Sequence, residues 1–347
     1  MINRDYAEFA WYQTVELLDI DSPTGFTDRA AAWVKDAFES LGCPARLTRK
    51  GGVLVDLGGE DDNDALLLSA HTDTLGAMVA QIKPNGRLRL TTLGGFLAEN
   101  VETTVVRIYT RGGQVYEGTI QLCNASLHVN MQYEDAKRNF DTLEVVIDED
   151  VHNAEETRAL GIEVGDFLCI HTSTRRTRSG YLKSRFLDDK LCVGALLGVA
   201  KYLKENNITL RRRTYAHITV YEEVGHGAAA SIPEGVTEMI AVDMGCVGDG
   251  LQCTERQVSI CAKDSVGPYN YAVVGKLIEA AKAVGADYAV DVYPRYGSDA
   301  DIALRAGNDI RHGLIGPGVY ASHGYERSHM DGLFNTMLLL CSYMGAC

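Results

Sequence analysis

Short apolar segments joined by hairpin turns occupy residues 77–172, whereas the chain on either side alternates strand and helix patterns. Pro84-Asn85-Gly86 and Gly112-Gly113 each separate two apolar segments, and such residues favour tight turns between antiparallel strands. Strands joined in this way interrupt the alternating pattern of an α/β domain. The sequence therefore predicts an all-β, barrel-like domain at 77–172, inserted into a domain formed by residues 1–76 and 173–347.

The two flanking segments carry the pattern of an α/β domain. Strands are predicted at 44–49, 52–57, 66–71, 215–221, 239–243, 259–262, 289–293 and 310–315, and helices at 5–19, 27–41, 191–204, 273–284, 299–306 and 333–344. An acidic turn is expected at 60–64, just before the third strand. Strands that alternate with helices favour a mostly parallel sheet covered by helices on both faces.

Composition excludes several classes of protein. The 347 residues are 46% hydrophobic, which is ample for a sizeable core, and the net charge of −14 without a long basic run argues against a nucleic-acid-binding surface. No stretch approaches the ~18 consecutive apolar residues of a membrane span, and no apolar signal core opens the chain. The nine cysteines are scattered without a Cys-x-x-Cys pair, which favours reduced thiols over disulfides. We expect a soluble, cytoplasmic protein.

The apolar strand at 66–70 ends in His71-Thr72-Asp73. A buried strand has no structural need for an imidazole and a carboxylate at its carboxyl end. In open α/β sheets that end is where ligands bind, and a histidine beside a carboxylate is a common metal-ligand arrangement. Alone, the pair is more often a polar strand terminus, so the interpretation depends on partners elsewhere in the chain.

Four further segments place polar residues where strands end or helices begin. Asp188-Asp189 precedes the helix at 191–204, where one aspartate would suffice as a cap and two repel each other unless a cation intervenes. Glu222-Glu223 follows the strand at 215–221, and paired glutamates are unfavourable at a buried strand end without partners. Asp243 ends another apolar strand, and two histidines, His323 and His329, lie near the C-terminus.

Gathered at one sheet edge, these side chains form a set of hard ligands without cysteine. Such ligands suit zinc, with cobalt or manganese as alternatives, and exclude a thiolate site. A single catalytic zinc needs about three protein ligands, so five ligands fit two ions if one carboxylate bridges them. The predicted ligands are His71, Asp188, Glu223, Asp243 and His323. Glu222, which is the neighbour of a ligand, is the candidate general base for a bridging water.

The same residues resemble the motifs of the tetrahedral aminopeptidases, which are glutamyl-aminopeptidase-like metallopeptidases with two co-catalytic metals. The resemblance covers nearly the whole chain, and the order and spacing of the motifs match. The motifs are Ser22-Pro23-Thr24-Gly25-Phe26-Thr27, His71-Thr72-Asp73-Thr74-Leu75-Gly76-Ala77-Met78-Val79, Asp188-Asp189-Lys190, Glu222-Glu223-Val224-Gly225 and Gly297-Ser298-Asp299-Ala300. The family also has a β-rich domain inserted between its first two metal motifs, and the resemblance implies a zinc-peptidase-like fold.

The resemblance implies a role for each site residue. It assigns one ion to His71, Asp188 and Asp243, and the other to Asp188, Glu223 and His323. Asp73 would orient His71 through its second ring nitrogen. Glu222 would deprotonate the attacking water and pass the proton to the leaving amine. The family also implies dimers built through the inserted domain, and a large homo-oligomer such as a tetrahedral dodecamer.

Two segments depart from the family pattern. After Glu222-Glu223-Val224-Gly225 the chain continues His226-Gly227-Ala228 and is one residue short. Near the C-terminus the family's Arg-Tyr-x-His-Ser-Pro is replaced by Tyr320-Ala321-Ser322-His323-Gly324-Tyr325, with His329 six residues later. We prefer His323 as the ligand because its distance to the following helix fits the family with one deletion, and His329 is the alternative ligand or substrate contact.

The sequence thus predicts a metal-dependent aminopeptidase that removes N-terminal residues from peptides. An alternative is a metal-dependent amidase or deacylase that acts on N-acyl amino acids or small capped peptides with the same metals and base. An alternative of another class is a non-catalytic metal-binding scaffold. The presence of both Glu222 and Glu223 argues against a scaffold, because a structural site needs no spare base.

Overall fold

The computed structural model describes residues 2–347, which form two compact units. One unit runs to Asp73 and resumes at Ser173, and the other spans Thr74–Thr172. None of the helices in residues 2–347 is both long and apolar enough to cross a membrane.

The helices and strands follow one another in an order close to the predicted one. The helices are α1 (Arg4–Leu18), α2 (Asp28–Ser40), α3 (Ala154–Ala159), α4 (Leu187–Glu205), α5 (Tyr271–Val284), α6 (Asp299–Arg305) and α7 (Met330–Tyr343). The strands are β1 (Ala45–Leu47), β2 (Val53–Gly58), β3 (Asp61–His71), β4 (Gly76–Ile82), β5 (Leu88–Leu93), β6 (Val105–Tyr109), β7 (Val115–Leu122), β8 (Leu143–Ile147), β9 (Phe167–Ile170), β10 (Arg175–Arg176), β11 (Tyr181–Ser184), β12 (Arg212–Thr219), β13 (Val236–Val242), β14 (Gly245–Val247), β15 (Val258–Lys263), β16 (Tyr288–Val292), β17 (Arg311–Tyr320) and β18 (Glu326–His329).

A mixed sheet of twelve strands organises the first unit. Its main path is β1-β2-β12-β3-β13-β17-β18-β11-β10, with β14 and β15 paired to β17 and β16 paired to β15. The central strands β12, β3, β13 and β17 pair in parallel, and β2 and β18, which flank them on the main path, are antiparallel to their neighbours. The central strand β3 is buried from Ala65 to His71, as expected for a parallel strand with both faces covered. The predicted α/β class is confirmed, with parallel pairing at the centre of the sheet.

The register of the central strands brings their polar ends to one edge. Thr219 of β12 is opposite His71 of β3, and Ala241 of β13 is opposite Ser69. Because these strands run in the same direction, the residues that follow each strand meet at the same edge of the sheet. Glu222 and Asp243 follow β12 and β13 within three residues, so both lie close to His71.

Helix α4 packs closely against α1 and is buried along almost its whole length. Glycine makes this approach possible at two positions of α4. A Cβ atom on Gly194 would lie 2.1 Å from the hydroxyl oxygen of Thr14, and one on Gly198 would lie 2.9 Å from the carbonyl oxygen of Tyr6. The tight packing fixes α4, whose first turn carries Asp188.

The second unit is a closed barrel with the strand order β4-β5-β8-β7-β6-β9. Apolar side chains that alternate along the strands fill its interior, among them Val79, Leu88, Ile108, Ile120 and Val145. Closure pairs every strand on both sides and leaves no exposed edge along which chains could aggregate. The predicted all-β, barrel-like fold is confirmed.

Two local predictions differ from the structure, and a third agrees with it. Residues 61–64, expected in an acidic turn, belong to β3, because Asp64 and Asp62 pair with Arg212 and Arg213 of the neighbouring β12. Asp188-Asp189, expected before a helix, has non-helical backbone angles at the start of α4, so regular helix begins only after this pair, as predicted. Glu222-Glu223, expected in extended backbone at a strand end, forms a single turn of 3₁₀ helix at Glu222–Val224.

Candidate metal and catalytic site

Two groups of side chains in the first unit have the composition and spacing of metal-ion ligands. His71, Asp188 and Asp243 form one group, and Asp188, Glu223 and His323 form the other. Within each group the candidate donor atoms all lie within 4.8 Å of one another. The first group is buried, and the second is partly open at Glu223 and His323.

Asp188 belongs to both groups because its two carboxylate oxygens face different histidines. Its Oδ1 lies 3.2 Å from Nε2 of His71, and its Oδ2 lies 3.3 Å from Nε2 of His323. Oε2 of Glu223 lies 3.7 Å from the same nitrogen of His323. A carboxylate placed between two imidazoles in this way has the geometry of a bridging ligand.

Local hydrogen bonding fixes the protonation of the His71 ring. Its Nδ1 lies 2.9 Å from the main-chain carbonyl oxygen of Asp73, which can only accept, so Nδ1 carries the proton and donates. Nε2 then points its lone pair at Asp188 Oδ1 and at Oε2 of Glu222, which is 3.8 Å away. A lone pair that faces two carboxylates is unfavourable unless a proton or a metal cation lies between them.

The Asp73 side chain holds the turn that carries the paired glutamates. Its carboxylate accepts the backbone N–H of Glu222 at 3.2 Å and that of Glu223 at 3.4 Å, and it also accepts the hydroxyl of Thr24 at 2.7 Å. The same carboxylate lies 3.6 Å from Nδ1 of His71. The main-chain carbonyl of Asp73 therefore orients His71, while its carboxylate orients the glutamates.

Buried carboxylates crowd this site, as expected for residues that bind cations. Burial raises the pKa of Glu222 and of Glu223 well above their ordinary values, and nearby carboxylates add to both shifts. Burial and the charge of Asp188 raise the pKa of Asp243 to about 7. Burial also disfavours the charge on Asp188, but the imidazoles of His323 and His71 beside its two oxygens outweigh this effect and lower the Asp188 pKa.

An unpartnered oxygen also favours a cation at the site. Oε1 of Glu223 is buried and has no hydrogen-bond partner among residues 2–347. A buried carboxylate oxygen without a partner is costly unless a cation neutralises it. The donors present therefore fit divalent metal ions, and their oxygen and nitrogen atoms suit zinc, cobalt or manganese.

Glu326 is a site residue that the sequence analysis missed. Its Oε2 accepts the backbone N–H of Asp188 at 3.1 Å, and its Oε1 accepts that of His323 at 3.0 Å. The side chain is buried, and burial together with the charge of Asp188 raises its pKa to about 8. Its position three residues after His323 was the available signal, but the segment around it has no strand or helix periodicity.

Asp299 lay in a recognised motif without an assigned role. Its Oδ2 accepts the hydroxyls of Ser69, at 3.0 Å, and of Thr219. Its Oδ1 accepts the backbone N–H of Ala228 at 2.7 Å. Asp299 therefore ties the ends of β3 and β12 to the loop that follows the paired glutamates.

His329, the alternative ligand, lies outside both groups of donors. Its Nε2 is 2.7 Å from the carbonyl oxygen of Ser179, and its Nδ1 accepts the backbone N–H of Asp331 at 3.0 Å. The second contact places His329 as the N-cap of α7. Both ring nitrogens are therefore used in local hydrogen bonds.

The donor groups open into a cavity of about 710 Å³. Asp188, Glu222, Glu223, Asp243 and His323 line one part of its wall. Arg295 and Arg305 also line the cavity, and both are exposed without an ion-pair partner among residues 2–347. The cavity therefore combines a cluster of acids and imidazoles with two unpaired cations.

Comparisons with known proteins agree with the geometry of the site. A model of the M42 glutamyl aminopeptidase family matches residues 51–339. The putative aminopeptidase YhfE of Bacillus subtilis is 41% identical over 329 residues, 95% of each chain. The lysyl aminopeptidase of Pyrococcus furiosus is 24% identical over 192 residues, which are 55% of this chain and 53% of that protein.

Solved structures share the fold along almost the whole chain. A TET aminopeptidase from a marine-sediment Thaumarchaeota archaeon superposes with a TM-score of 0.87 at 19% identity, over 97% of this chain and 96% of that one. The TET1 peptidase of Pyrococcus horikoshii, which can assemble into a tetrahedron or a large octahedral shell, has a TM-score of 0.83 at 21% identity, over 96% of this chain and 99% of that one.

Proposed function

Because this chain belongs to the M42 glutamyl aminopeptidase family and is a peptidase, we propose that it removes N-terminal residues from peptides with two divalent metal ions and a glutamate base. The observation that carries the proposal is the pair of donor groups that share Asp188 and open into one cavity with Glu222. Five ligands, of which one carboxylate is shared, suit a two-metal site better than a single zinc site.

We assign His71, Asp188 and Asp243 to one ion, and Asp188, Glu223 and His323 to the other. Zinc is the proposed metal, with cobalt or manganese as alternatives. When bound there, two such ions polarise the scissile carbonyl and lower the pKa of the attacking water. Glu326 holds Asp188 and His323 in place through their backbone N–H groups.

Glu222 is the proposed general base. It belongs to neither donor group, yet its Oε2 lies 3.8 Å from Nε2 of His71 and its side chain lines the cavity. A carboxylate at this position accepts a proton from the attacking water and delivers it to the leaving amine. Asp73 holds the backbone of Glu222 and Glu223. The side chains of the base Glu222 and the ligand Glu223 can therefore point in different directions although they belong to the same turn.

The unpaired arginines support a preference for acidic N-terminal residues. Arg295 and Arg305 line the cavity that contains the candidate ligands, and a substrate carboxylate would supply the anion that both lack. Asp301, a further acid that lines the cavity, is buried and already accepts hydrogen bonds from Ser298 and Tyr269. The family description, glutamyl aminopeptidase, agrees with such a preference.

The proposal is tested by hydrolysis of aminoacyl p-nitroanilides after metal removal, with and without added Zn²⁺ or Co²⁺. We expect metal-dependent hydrolysis of substrates with a free amine, fastest for N-terminal glutamate or aspartate. The same substrates with an N-acetyl group are assayed in parallel, and hydrolysis of these N-acetylated substrates alone would instead establish the amidase or deacylase alternative. Metal binding without hydrolysis of any substrate would establish the scaffold alternative.

A further inference from the structure

The loop that carries the candidate base has a strained conformation. The 3₁₀ turn Glu222–Val224 begins after Tyr221, whose φ is +70°, and ends before Gly225, whose φ is +79°. A bulky side chain in the left-handed region costs on the order of 1–3 kcal/mol and persists only where surrounding contacts hold it. The position of Glu222 therefore depends on the contacts that anchor this loop.

Two of the anchors are carboxylates of the recognised motifs. Asp73 accepts the N–H groups of Glu222 and Glu223 at the start of the loop. Asp299 accepts the N–H of Ala228 at its end, and a Cβ on Gly227 would lie 2.2 Å from Oδ1 of Asp299. The loop thus lies directly against Asp299, and both carboxylates bind it through N–H groups.

The third anchor, Lys50, belongs to none of the recognised motifs. It lies in the hairpin between β1 and β2, and its ammonium donates to the carbonyl oxygens of His226 and of Gly227, the latter at 2.6 Å. Lys50 is half-buried, and burial lowers the pKa of its ammonium, although the charges of Asp299 and Asp73 act in the opposite direction. Lys50 thus binds carbonyl groups of the loop, whereas Asp73 and Asp299 bind N–H groups of the same loop.

The anchored carbonyls lie in the segment that is one residue shorter than the family pattern. His226 also stacks on Tyr221, with ring centroids 5.1 Å apart, and its N–H donates to the carbonyl of Tyr221 at 3.1 Å. A contact made by Lys50 at His226 is therefore transmitted to the residue that starts the turn. Loss of the Lys50 contact would release His226 and allow Tyr221 to move. The side chain of Glu222, which follows Tyr221, would then no longer be held in one direction.

We propose that Lys50 is a positioning residue for catalysis, which fixes the base loop by binding the carbonyl oxygens of His226 and Gly227. The proposal rests on the proposed function, in which Glu222 is the base. Lys50 itself contacts neither donor group, and the ligand Glu223 keeps its separate backbone contact with Asp73, so we expect loss of Lys50 to leave the metal ligands in place.

The test compares Lys50→Met, Lys50→Arg and the matched control Arg49→Met. Arg49 is the exposed neighbour of Lys50 and has no hydrogen-bond or ion-pair partner among residues 2–347, so its replacement removes the same charge from the same hairpin. In Lys50→Met we expect kcat to fall about 10- to 10²-fold, because a displaced catalytic group loses that much. KM and bound metal should stay near the wild-type values, Lys50→Arg should recover most of kcat, and Arg49→Met should match the wild type.

Hydrogen exchange provides a readout that does not depend on activity. The amides of Gly225, His226 and Ala228 should exchange faster in Lys50→Met than in the wild type, while amides of β3 stay unchanged. If the wild type hydrolyses no aminoacyl substrate, the proposed function fails, and exchange still tests the anchor. Unchanged exchange or unchanged kcat in Lys50→Met would overturn the proposal, as would a loss of kcat that accompanies loss of metal.

Discussion

At the scale of single residues, Asp188 is the side chain on which both candidate ion sites depend. Its two oxygens face His71 and His323, and its backbone N–H donates to Glu326. A bridging carboxylate balances the charge of two cations at once, whereas each terminal ligand serves one. Substitutions at Asp188 and at a terminal ligand should therefore differ in how much metal they release.

Asp188→Ala should reduce the bound divalent metal from about two ions per chain towards none, because the shared ligand of both groups is lost. Metal analysis by mass spectrometry after gel filtration measures the change. Asp36→Ala is the control, since Asp36 is exposed on α2 and far in the chain from every candidate ligand. Full metal retention in Asp188→Ala would contradict its assignment as a bridge.

Glu222→Gln should bind metal and substrate nearly as the wild type does, while turnover falls about 10²- to 10⁴-fold. Glutamine keeps the size and hydrogen bonding of the side chain, but it does not accept the proton of the attacking water. The measurement is kcat and KM together with metal content, with exposed Glu234→Gln as control. Loss of metal from Glu222→Gln would show that Glu222 is a ligand, and retained turnover would exclude it as the base.

At the scale of secondary-structure elements, the short segment between β17 and α7 gives two histidines different roles. His323 precedes β18 and faces Asp188 and Glu223, whereas His329 ends β18 and caps α7. The intervening strand β18 pairs with β11, and Glu326 at its start anchors His323. Although the two histidines are only six residues apart, His323 lies in the candidate site and His329 lies at the N-terminus of α7.

His323→Ala should lose about one ion per chain, while His329→Ala should keep both ions and lose stability. Removal of a capping side chain costs about 0.5–2 kcal/mol. Metal analysis and denaturant unfolding of both variants measure the two effects separately. If His329→Ala lost metal while His323→Ala kept both ions, His329 rather than His323 would be the ligand.

The strand ends were predictable from the sequence because apolar strands that stop at a carboxylate or imidazole are unusual. His71 and Asp243 follow this rule, and the parallel register brings them together. The geometry of the glutamate turn was not predictable, since the anchors of Glu222 and Glu223 lie about 150 residues away at Asp73. Glu326 was missed for the same reason, because its partners are backbone N–H groups of distant or non-periodic segments.

At the scale of the whole molecule, we propose a homo-oligomer whose contacts include the inserted barrel unit. Within that unit a loop between β7 and β8 exposes Leu127, Val129 and Met131, which are 57%, 70% and 94% exposed. Large apolar side chains clustered within five residues on a surface are typical of a protein interface. The TET1 peptidase of Pyrococcus horikoshii, a structural neighbour, can assemble into a tetrahedron or a large octahedral shell.

Val129→Asp should shift the protein from a large assembly to smaller species at micromolar concentration, as measured by sedimentation velocity. A carboxylate buried in an apolar interface without a partner is strongly unfavourable, so association weakens while each chain stays folded. Val292→Asp is the matched control, because Val292 is 53% exposed at the end of β16 in the first unit. A wild-type protein that sediments as a monomer would refute the homo-oligomer. Dissociation of Val292→Asp with an intact Val129→Asp assembly would move the interface from the barrel to the first unit.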